Sequence, residues 1–486
     1  MKRLKNFAVV LLLLLSAGLF AESTPIEGLH FFKLDNGLEV FVLENHSLPL
    51  TRIQITFRCG AYTQEPETAG LFHFYEHLLF KGNSKYADEK KFSGAMSDLG
   101  VSSWNGGTNQ EYVTYFFTVP SAKTDEGIAF WSYAVKEPLF DPEQLELEKK
   151  VVINEISGDL ANPTRPLWAA IQRHLCPKYP WRRDVIGNPD IINSATPELM
   201  RKIQHTYYVP NNAAIFIAGD VKPAEALKYV KTHFGDWEKA PDLPKQDPQL
   251  MPAQKEPVYL VFPDNRFPEG MAEVDIELRG PDALRDMEYT YAADVWGSLI
   301  EPPTSKFRFN MVDRVPEIYD KTEIGAGYYT QRDAGEITSW NVVSGGEKSV
   351  VQVAKDIQKA FLEETKAIIA DKDYFAPEEY ELVKQKLEDD RIWALENPSN
   401  FIDSQLSFWW AASSAQYYFG YIDNMKKTTK ADIDKFLTDY VVNNVPFIVV
   451  MINPNDYQKE KDQFEKAGFH EVTFDNAFWW QKGVRK

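Results

Sequence analysis

Two histidines four residues apart, with a glutamate directly before the second, stand in the stretch LFHFYEHLLF at residues 71–80. On an α-helix, His73 and His77 lie one turn apart on the same face, so both imidazoles can reach one metal ion. Glu76 then projects beside them, near any water that the metal would hold. Two histidines at this spacing are also common as structural residues of apolar helices. This motif alone therefore leaves a metal site and a core helix equally open.

A candidate for the remaining metal ligand lies downstream, in EQLELEKKVVINEISGDL. Glu148 and Glu155 are two helical turns apart and therefore share one face of a helix. The apolar residues Val151 and Val152 lie between them, which predicts that this face is buried. Buried carboxylates are costly unless they are paired or coordinate a metal. The alternative is that both acids lie solvated at the rim of the helix.

The segments around these residues predict strands that alternate with helices. The predicted strands are LEVFVLEN, LTRIQITFRCG and YVTYFFTVP, and the predicted helices contain YEHLLFKG and DEGIAFWSYAVKEP. Some neighbouring strands are connected as in hairpins. This pattern favours an α+β sandwich over a doubly wound parallel sheet.

The chain also contains a weak internal repeat. YYVPNNAAIFIAGDV begins at Tyr207 and DYVVNNVPFIVVMIN begins at Asp439, and in each an Asn-Asn pair leads into an apolar strand. A helix-like segment that opens with a capping threonine precedes each of them. The repeat predicts two homologous domains, at residues 25–240 and 258–486. The proline-rich segment 241–257 between them is predicted to be an extended linker.

The first residues have the pattern of a secretory signal peptide. A basic start, MKRLK, is followed by an apolar run from Phe7 to about Phe20 and by small residues near Ala21. Cleavage near residue 21 would place the mature chain in the periplasm or outside the cell, without stable membrane insertion. An uncleaved anchor is the alternative, although the run is shorter than the ~20 apolar residues of a spanning helix.

The composition is that of a folded, acidic protein. Hydrophobic residues make up 44% of the 486 residues, and the formal net charge is −18. This charge argues against nucleic acid or an anionic membrane as a partner. The only cysteines, Cys59 and Cys176, are too few for a cysteine-rich zinc cluster, and the sequence leaves open whether they pair.

The order His-x-x-Glu-His, followed by a glutamate 78 residues after the second histidine, resembles the inverzincins of the pitrilysin (insulinase) family. GLFHFYEHLLFKGNSKY is similar to the family's ligand helix, and RRDVIGNPDIINSATPELMRKIQHTYYVPNNAAIFIAGDV to a later segment of its first domain. The likeness extends over the chain after the signal peptide. It implies two homologous α/β sandwich domains, each a mainly antiparallel sheet covered by helices, that form half of a clamshell.

The resemblance also implies roles for individual residues. His73, His77 and Glu155 would bind one zinc ion per chain and leave its fourth position to water, whose pKa zinc lowers to about 7. Glu76 would be the general base and would then carry the proton to the leaving amine. Glu148 would orient a ligand and support catalysis.

A further segment, GVSSWNGGTNQEYVTYFFTVP, is similar to the family's substrate-binding strand. Asn105, Thr108, Thr114 and Tyr115 stand at matching positions. The resemblance implies that Asn105 hydrogen-bonds the substrate backbone near the scissile bond. The strand would take the peptide as an added strand.

The second half departs from the family pattern. IELRGPDALRDMEYTYAADVWGSLI, which corresponds to the ligand helix, contains no histidine. The family also places an Arg and a Tyr, seven residues apart, where they bind the substrate carbonyl. Tyr319 occupies the Tyr position, but Val312 occupies the Arg position, and Arg308 and Arg314 are out of register. This departure favours a heterodimer in which a homologous chain supplies Arg and Tyr, with a homodimer as the alternative.

The expected function is that of a zinc endopeptidase acting on unfolded peptides or small proteins in an enclosed chamber. Two imidazoles and a carboxylate suit zinc. One alternative is a catalytically silent peptide-binding or assembly subunit of the same fold, and another is metal storage or sensing. The presence of Glu76 argues against storage, because only hydrolysis needs a base at that position.

Overall fold

The computed structural model describes residues 22–244, 254–333 and 335–478. The predicted signal peptide and most of the predicted linker lie outside these ranges, so the exact domain limits stay predictions. The described residues form two mixed sheets covered by helices, which confirms the predicted α+β class. In these same ranges, no helix is both long and apolar enough to cross a lipid bilayer.

The first sheet has seven strands in the order β1-β2-β3-β7-β4-β6-β5. They are β1 Glu22–Ser23, β2 Leu29–Lys33, β3 Glu39–Glu44, β4 Leu50–Phe57, β5 Ser103–Thr108, β6 Val113–Pro120 and β7 Ala213–Gly219. Only β3 and β7 pair in parallel. The helices are α1 Leu71–Leu79, α2 Glu89–Asp98, α3 Thr124–Lys136, α4 Pro142–Leu160, α5 Arg165–Leu175, α6 Pro189–Ser194, α7 Pro197–Tyr207 and α8 Pro223–Phe234.

The second sheet has six strands in the order β10-β11-β9-β12-β8-β13. They are β8 Val258–Pro263, β9 Met271–Arg279, β10 Ile324–Tyr329, β11 Glu336–Ser344, β12 Phe447–Ile452 and β13 His470–Glu471. The helices are α9 Met287–Ile300, α10 Lys306–Arg314, α11 Val350–Ala370, α12 Pro377–Ala394, α13 Pro398–Asn400, α14 Ser407–Ala412, α15 Ala415–Lys427, α16 Lys430–Leu437, α17 Pro454–Lys466 and α18 Phe474–Ala477.

The internal repeat appears in the structure as a pair of equivalent asparagines. The side-chain amide of Asn212 donates to the end of α7 and to the carbonyl of Arg58, directly beyond β4. The amide of Asn444 donates to the helical turn that precedes it and to the carbonyl of Arg279, at the end of β9. Each asparagine thus links the end of a helix to a neighbouring strand of the sheet. That strand is β4 in the first half and β9 in the second, and it pairs with the strand that directly follows the asparagine, β7 or β12.

The two halves cover the outer faces of each other's sheets. Phe216 and its neighbours on the first sheet pack against the helical turn Phe401–Leu406 and against Trp410 of α14. In return, α5 of the first half packs on β8 and β12 of the second sheet. The indole of Trp410 also donates to Glu39 at 2.8 Å, and its carbonyl accepts from Arg58. This exchange joins the two halves through apolar and polar contacts.

Candidate metal centre

Helix α1 buries its apolar residues and keeps its polar residues on a separate side. Phe74, Tyr75 and Leu78 are buried in the first core, where the ring of Tyr75 stacks on Tyr208 at 3.8 Å. Gly70, with φ of 88°, precedes the helix, and a Cβ there would lie 2.7 Å from the backbone of Gly187. This close backbone contact, which only glycine permits, sets where the helix begins.

Three potential ligand atoms converge between α1 and α4. The Nε2 atoms of His73 and His77 are 3.2 Å apart, and Oε2 of Glu155 lies 3.6 Å and 3.4 Å from them, respectively. Around a tetrahedral zinc ion with bonds of about 2.0–2.1 Å, ligand atoms stand about 3.3–3.4 Å apart. The two nitrogens and one carboxylate oxygen therefore match the donor types and the spacing of a zinc site. No other group of three or more such donors converges in the described part of the chain.

The protonation of the histidines suits metal binding. Burial, together with the neighbouring His77, lowers the pKa of His73 to about 4, so this ring is neutral near pH 7. Nδ1 of His77 lies 2.8 Å from Oε1 of Glu148. A carboxylate only accepts, so Nδ1 carries a proton, and in the neutral ring the lone pair of Nε2 points toward His73 and Glu155.

Glu148 is itself held by a lysine. Its Oε2 lies 2.9 Å from Nζ of Lys81, and its side chain is only 8% exposed. Burial by itself would raise the pKa of Glu148, but the hydrogen bonds from His77 and Lys81 lower it overall. For His77, burial by itself would lower the pKa, and the bond to Glu148 and the nearby carboxylates raise it overall. Lys81, Glu148 and His77 thus form one chain of charge-assisted hydrogen bonds.

Glu76 is positioned by strand β5. Its Oε2 accepts a hydrogen bond of 2.7 Å from Oγ1 of Thr108. Burial raises the pKa of Glu76, and the bond from Thr108 partly offsets this effect. Gly106 faces the same side chain, and a Cβ at this position would lie 3.1 Å from Cγ of Glu76. The glycine therefore leaves room for the carboxylate beside the sheet edge.

The face of α4 that carries the two glutamates is buried only in part. Val152 and Glu148 are buried, as the sequence predicted. Val151 is 44% exposed, however, and the side chain of Glu155 is 43% exposed. The prediction that this whole face is buried was wrong, because α4 packs with Val151 and Glu155 toward solvent. Glu155 thus combines solvent access with proximity to both histidines.

Asn105 lies on β5, the last strand of the first sheet, with an exposed side chain. Trp104 contacts Phe80, and Thr108 contacts Glu76, so the even-numbered residues of β5 face α1. Since side chains alternate along a strand, Asn105 projects to the opposite face. The structure therefore does not bring the Asn105 side chain to Glu76, although the open edge of β5 lies beside the site.

The second-half residues are separate from this centre. Tyr319 is 61% exposed, and its backbone donates to Val342 of β11. Val312 packs against the second core. Arg308 donates to the carbonyl of Lys321. Arg314 pairs with Glu364 at 2.9 Å and with Glu363 at 3.3 Å. Both arginines near the family's Arg position are therefore held by groups of their own chain.

A second sequence repeat, between α4 and α12, shows which residues of the second half stand in place of the two glutamates of the candidate metal centre. PEQLELEKKVVINEI begins at Pro142 and PEEYELVKQKLEDDRI begins at Pro377. In this register Val383 stands at the position of Glu148, and Asp390 at that of Glu155. Sequence reasoning missed this match, which the shared Pro-Glu start and Glu-Leu pair would have revealed. It also missed Lys81, for which its position one turn after His77 was the available signal.

Comparison with known proteins identifies the family. Residues 40–175 match the family described as Insulinase (Peptidase family M16), and residues 194–387 match the Peptidase M16 inactive domain. Together the two matches span more than half of the chain, which belongs to the M16 (insulinase, pitrilysin) peptidase family.

Curated relatives are identical to this chain at about a quarter of the positions in the segments that align. "Uncharacterized zinc protease YmfH" of Bacillus subtilis is 27% identical over 221 residues, which are 43% of this chain and 50% of the relative. Insulin-degrading enzyme of Bos taurus is 27% identical over 194 residues, which are 38% of this chain and 19% of that enzyme. The chain thus spans half or less of the length of these relatives.

Solved structures share the fold. A protease from Helicobacter pylori superposes with a TM-score of 0.70 at 18% identity, covering 87% of this chain and 98% of that chain. The first half of the periplasmic protease PqqL from Escherichia coli gives a TM-score of 0.71 at 18% identity, covering 91% and 95%. These likenesses confirm the paired α/β domains.

Proposed function

We propose that this protein is a zinc endopeptidase that hydrolyses unfolded peptides or small proteins in an enclosed chamber. The observation that carries the proposal is the convergence of His73, His77 and Glu155 at ligand spacing, with Glu76 on the same helix. Membership of a peptidase family, and relatives named zinc proteases, support it. The match to an inactive domain covers residues 194–387, which do not include these four residues.

In this proposal, His73, His77 and Glu155 hold the zinc ion, which when bound acts as a Lewis acid and makes water at the site more acidic. The carboxylate of Glu76 takes a proton from the attacking water and passes it to the amine that leaves. Thr108 holds that carboxylate in position. The edge of β5 receives the peptide backbone as an added strand, so cleavage depends weakly on side-chain identity.

The test compares the full chain with its Glu76→Gln variant, using Glu67→Gln, an exposed glutamate before α1, as the matched control. Metal content and cleavage of a quenched peptide library are measured in the same preparations. We expect one zinc per chain in all three proteins and, in preparations that contain the homologous partner subunit, loss of cleavage in Glu76→Gln alone. Stoichiometric zinc without cleavage, with or without a homologous partner, would instead favour a silent peptide-binding subunit.

We also propose that the chain acts as a heterodimer with a homologous subunit that supplies an Arg and a Tyr. Val312 at the Arg position, and the engagement of Arg308 and Arg314 within this chain, support a missing cationic group. Purification from the native host tests the proposal, since a fully active homodimer would contradict it. The signal-like first residues support a periplasmic or secreted location, which cell fractionation can test.

A further inference from the structure

Each of the two sheets ends in a hairpin, and the turns of these two hairpins meet. β5 and β6 are the last pair of the first sheet, and β10 and β11 are the corresponding pair of the second sheet. Glu111 lies in the turn between β5 and β6, and Arg332 lies in the turn between β10 and β11. Oε1 of Glu111 accepts a hydrogen bond from the backbone N–H of Arg332. The duplicated hairpins are thus joined across the two halves of the chain.

The N–H donor of this bond is held in place by other groups. The guanidinium of Arg332 donates to the carbonyl of Ala411 at 2.9 Å. Arg183 of the first half donates to the side chain of Gln331, which directly precedes Arg332. Arg183 also pairs with Glu336, at the start of β11. The turn after β10 is therefore fixed on both sides of the donor.

The acceptor is a buried carboxyl with one hydrogen bond. Glu111 is 5% exposed, and within the described ranges its other oxygen, Oε2, has no hydrogen-bond partner. Burial raises the pKa of Glu111 to about 7, although the bond from Arg332 and the charges of Arg183 and Arg332 lower it, and Asp333 raises it further. A substantial fraction of this carboxyl is therefore neutral at pH 7. A neutral carbonyl oxygen accepts the same bond, so the contact does not require the charge.

The turn that carries Glu111 also fixes the end of β5. The backbone carbonyls of Asn109 and Gln110 accept hydrogen bonds of 3.2 Å and 2.9 Å from the N–H groups of residues 61–62. Thr108, the last residue of β5, directly precedes this turn and donates to Glu76 at 2.7 Å. Because β5 lies at the end of its sheet and pairs with β6 on one side, the turn contributes much of what holds the strand.

We propose that Glu111 is a positioning residue for the reaction proposed above. By accepting the hydrogen bond from Arg332 it holds the end of β5, and through Thr108 it keeps Glu76 in position. The effect on turnover rests on the proposed peptidase function, whereas the effect on β5 does not. The candidate zinc ligands lie on α1 and α4, so zinc affinity should not depend on this contact. The order of β5 and the zinc affinity are therefore measured separately from turnover.

The experiment compares the full chain with three variants. Glu111→Met has nearly the same length but no oxygen acceptor, Glu111→Gln keeps the acceptor without the charge, and Gln110→Ala is a matched control in the same turn. Hydrogen exchange of the peptide that contains β5 is followed by mass spectrometry, and the peptide that contains the central strand β7 is the internal reference. Zinc affinity is measured by chelator competition. Steady-state kinetics use preparations that contain the homologous partner subunit.

We expect Glu111→Met to raise the exchange rate of the β5 amides at least fivefold. Exchange of β7 and the zinc Kd should stay within twofold of the parent, because a change confined to β5 reaches neither. Glu111→Gln and Gln110→Ala should remain within twofold of the parent in all three measurements. In the active preparations, Glu111→Met should lower kcat at least threefold, and Glu111→Gln should lower it less than twofold.

Three results would overturn the proposal: β5 exchange within twofold of the parent in Glu111→Met, an equal rise in β7 exchange, or failure of Glu111→Gln to keep the exchange rate of the parent. Faster β5 exchange at an unchanged kcat would overturn the positioning role as well. Should Glu111→Met not fold, Glu111→Ala replaces it, because water can then reach the N–H of Arg332; β5 exchange within twofold of the parent again overturns the proposal. If the parent hydrolyses no peptide while β5 responds as expected, the peptidase function is refuted and the hold of Glu111 on β5 is confirmed.

Discussion

Replacing Glu148 tests the arrangement of the candidate metal centre most directly. Its Oε1 lies 2.8 Å from Nδ1 of His77, and its Oε2 lies 2.9 Å from Nζ of Lys81. Glu148→Gln keeps the shape of the side chain and an acceptor for His77 but removes the charge. Glu148→Ala removes both.

The expected magnitude follows from these two bonds. A hydrogen bond to a charged group contributes about 1.5–3 kcal/mol, compared with about 0.5–1.5 kcal/mol for a neutral one. Glu148→Gln should therefore lose about 1–1.5 kcal/mol of the interaction that orients His77, which corresponds to roughly a tenfold higher zinc Kd. Glu148→Ala should lose the whole bond, and its Kd should rise by roughly 10- to 100-fold, as is typical for partners of ligating histidines.

The assay is zinc binding in competition with a chromophoric chelator, on folded protein verified by circular dichroism. Glu146→Gln is the matched control, because Glu146 lies on the same helix with a 66% exposed side chain. Lys81→Met should raise the Kd by a smaller factor, roughly threefold, since Glu148 would keep its bond to His77. A zinc Kd that stays within twofold of the parent in both Glu148 variants would refute the reasoning.

Three further outcomes are expected. Thr108→Val should lower kcat about tenfold at unchanged zinc content, because Glu76 loses its 2.7 Å hydrogen bond, and steady-state kinetics will check this. Burial raises the pKa of Asp294 to about 7. The unfolded carboxyl ionises near pH 4, so stability is lost as pH rises from about 4 to 7. Asp294→Asn should thus raise the free energy of unfolding at pH 8 by up to about 4 kcal/mol and hardly at pH 4, which urea titrations at both pH values can measure. Trp410→Phe should lower that free energy by about 1.5–3 kcal/mol, because the indole bond to Glu39 is lost; an unchanged denaturation midpoint would contradict this.

Features that depend on short stretches of chain were readable in the sequence. The i, i+4 placement of His73 and His77 follows from helix geometry alone, and so does the shared face of Glu148 and Glu155. The Asn-Asn repeat indicated the two related domains, whose sheets the structure shows. The family could likewise be inferred from the ligand motif and its spacing.

Contacts between distant segments were not predictable in the same way. Sequence reasoning missed Lys81, whose role depends on where α4 crosses α1. It predicted a buried Glu155, whereas the packing of α4 leaves that side chain half exposed. The substrate-binding role of Asn105 stays a prediction, but sequence reasoning did not show that the register of β5 turns this side chain to the face opposite Glu76. Each outcome depends on the angle and register at which elements meet.

The sequence by itself determined the candidate metal-ligand residues, the α+β class and the duplication, because backbone geometry imposes fixed periods of 3.6 and 2 residues on local patterns. Only the tertiary structure decided that Oε2 of Glu155 meets both histidines, and that α5 and α14 cover the opposite sheets. Burial and long-range pairing are properties of packing, which no local pattern encodes.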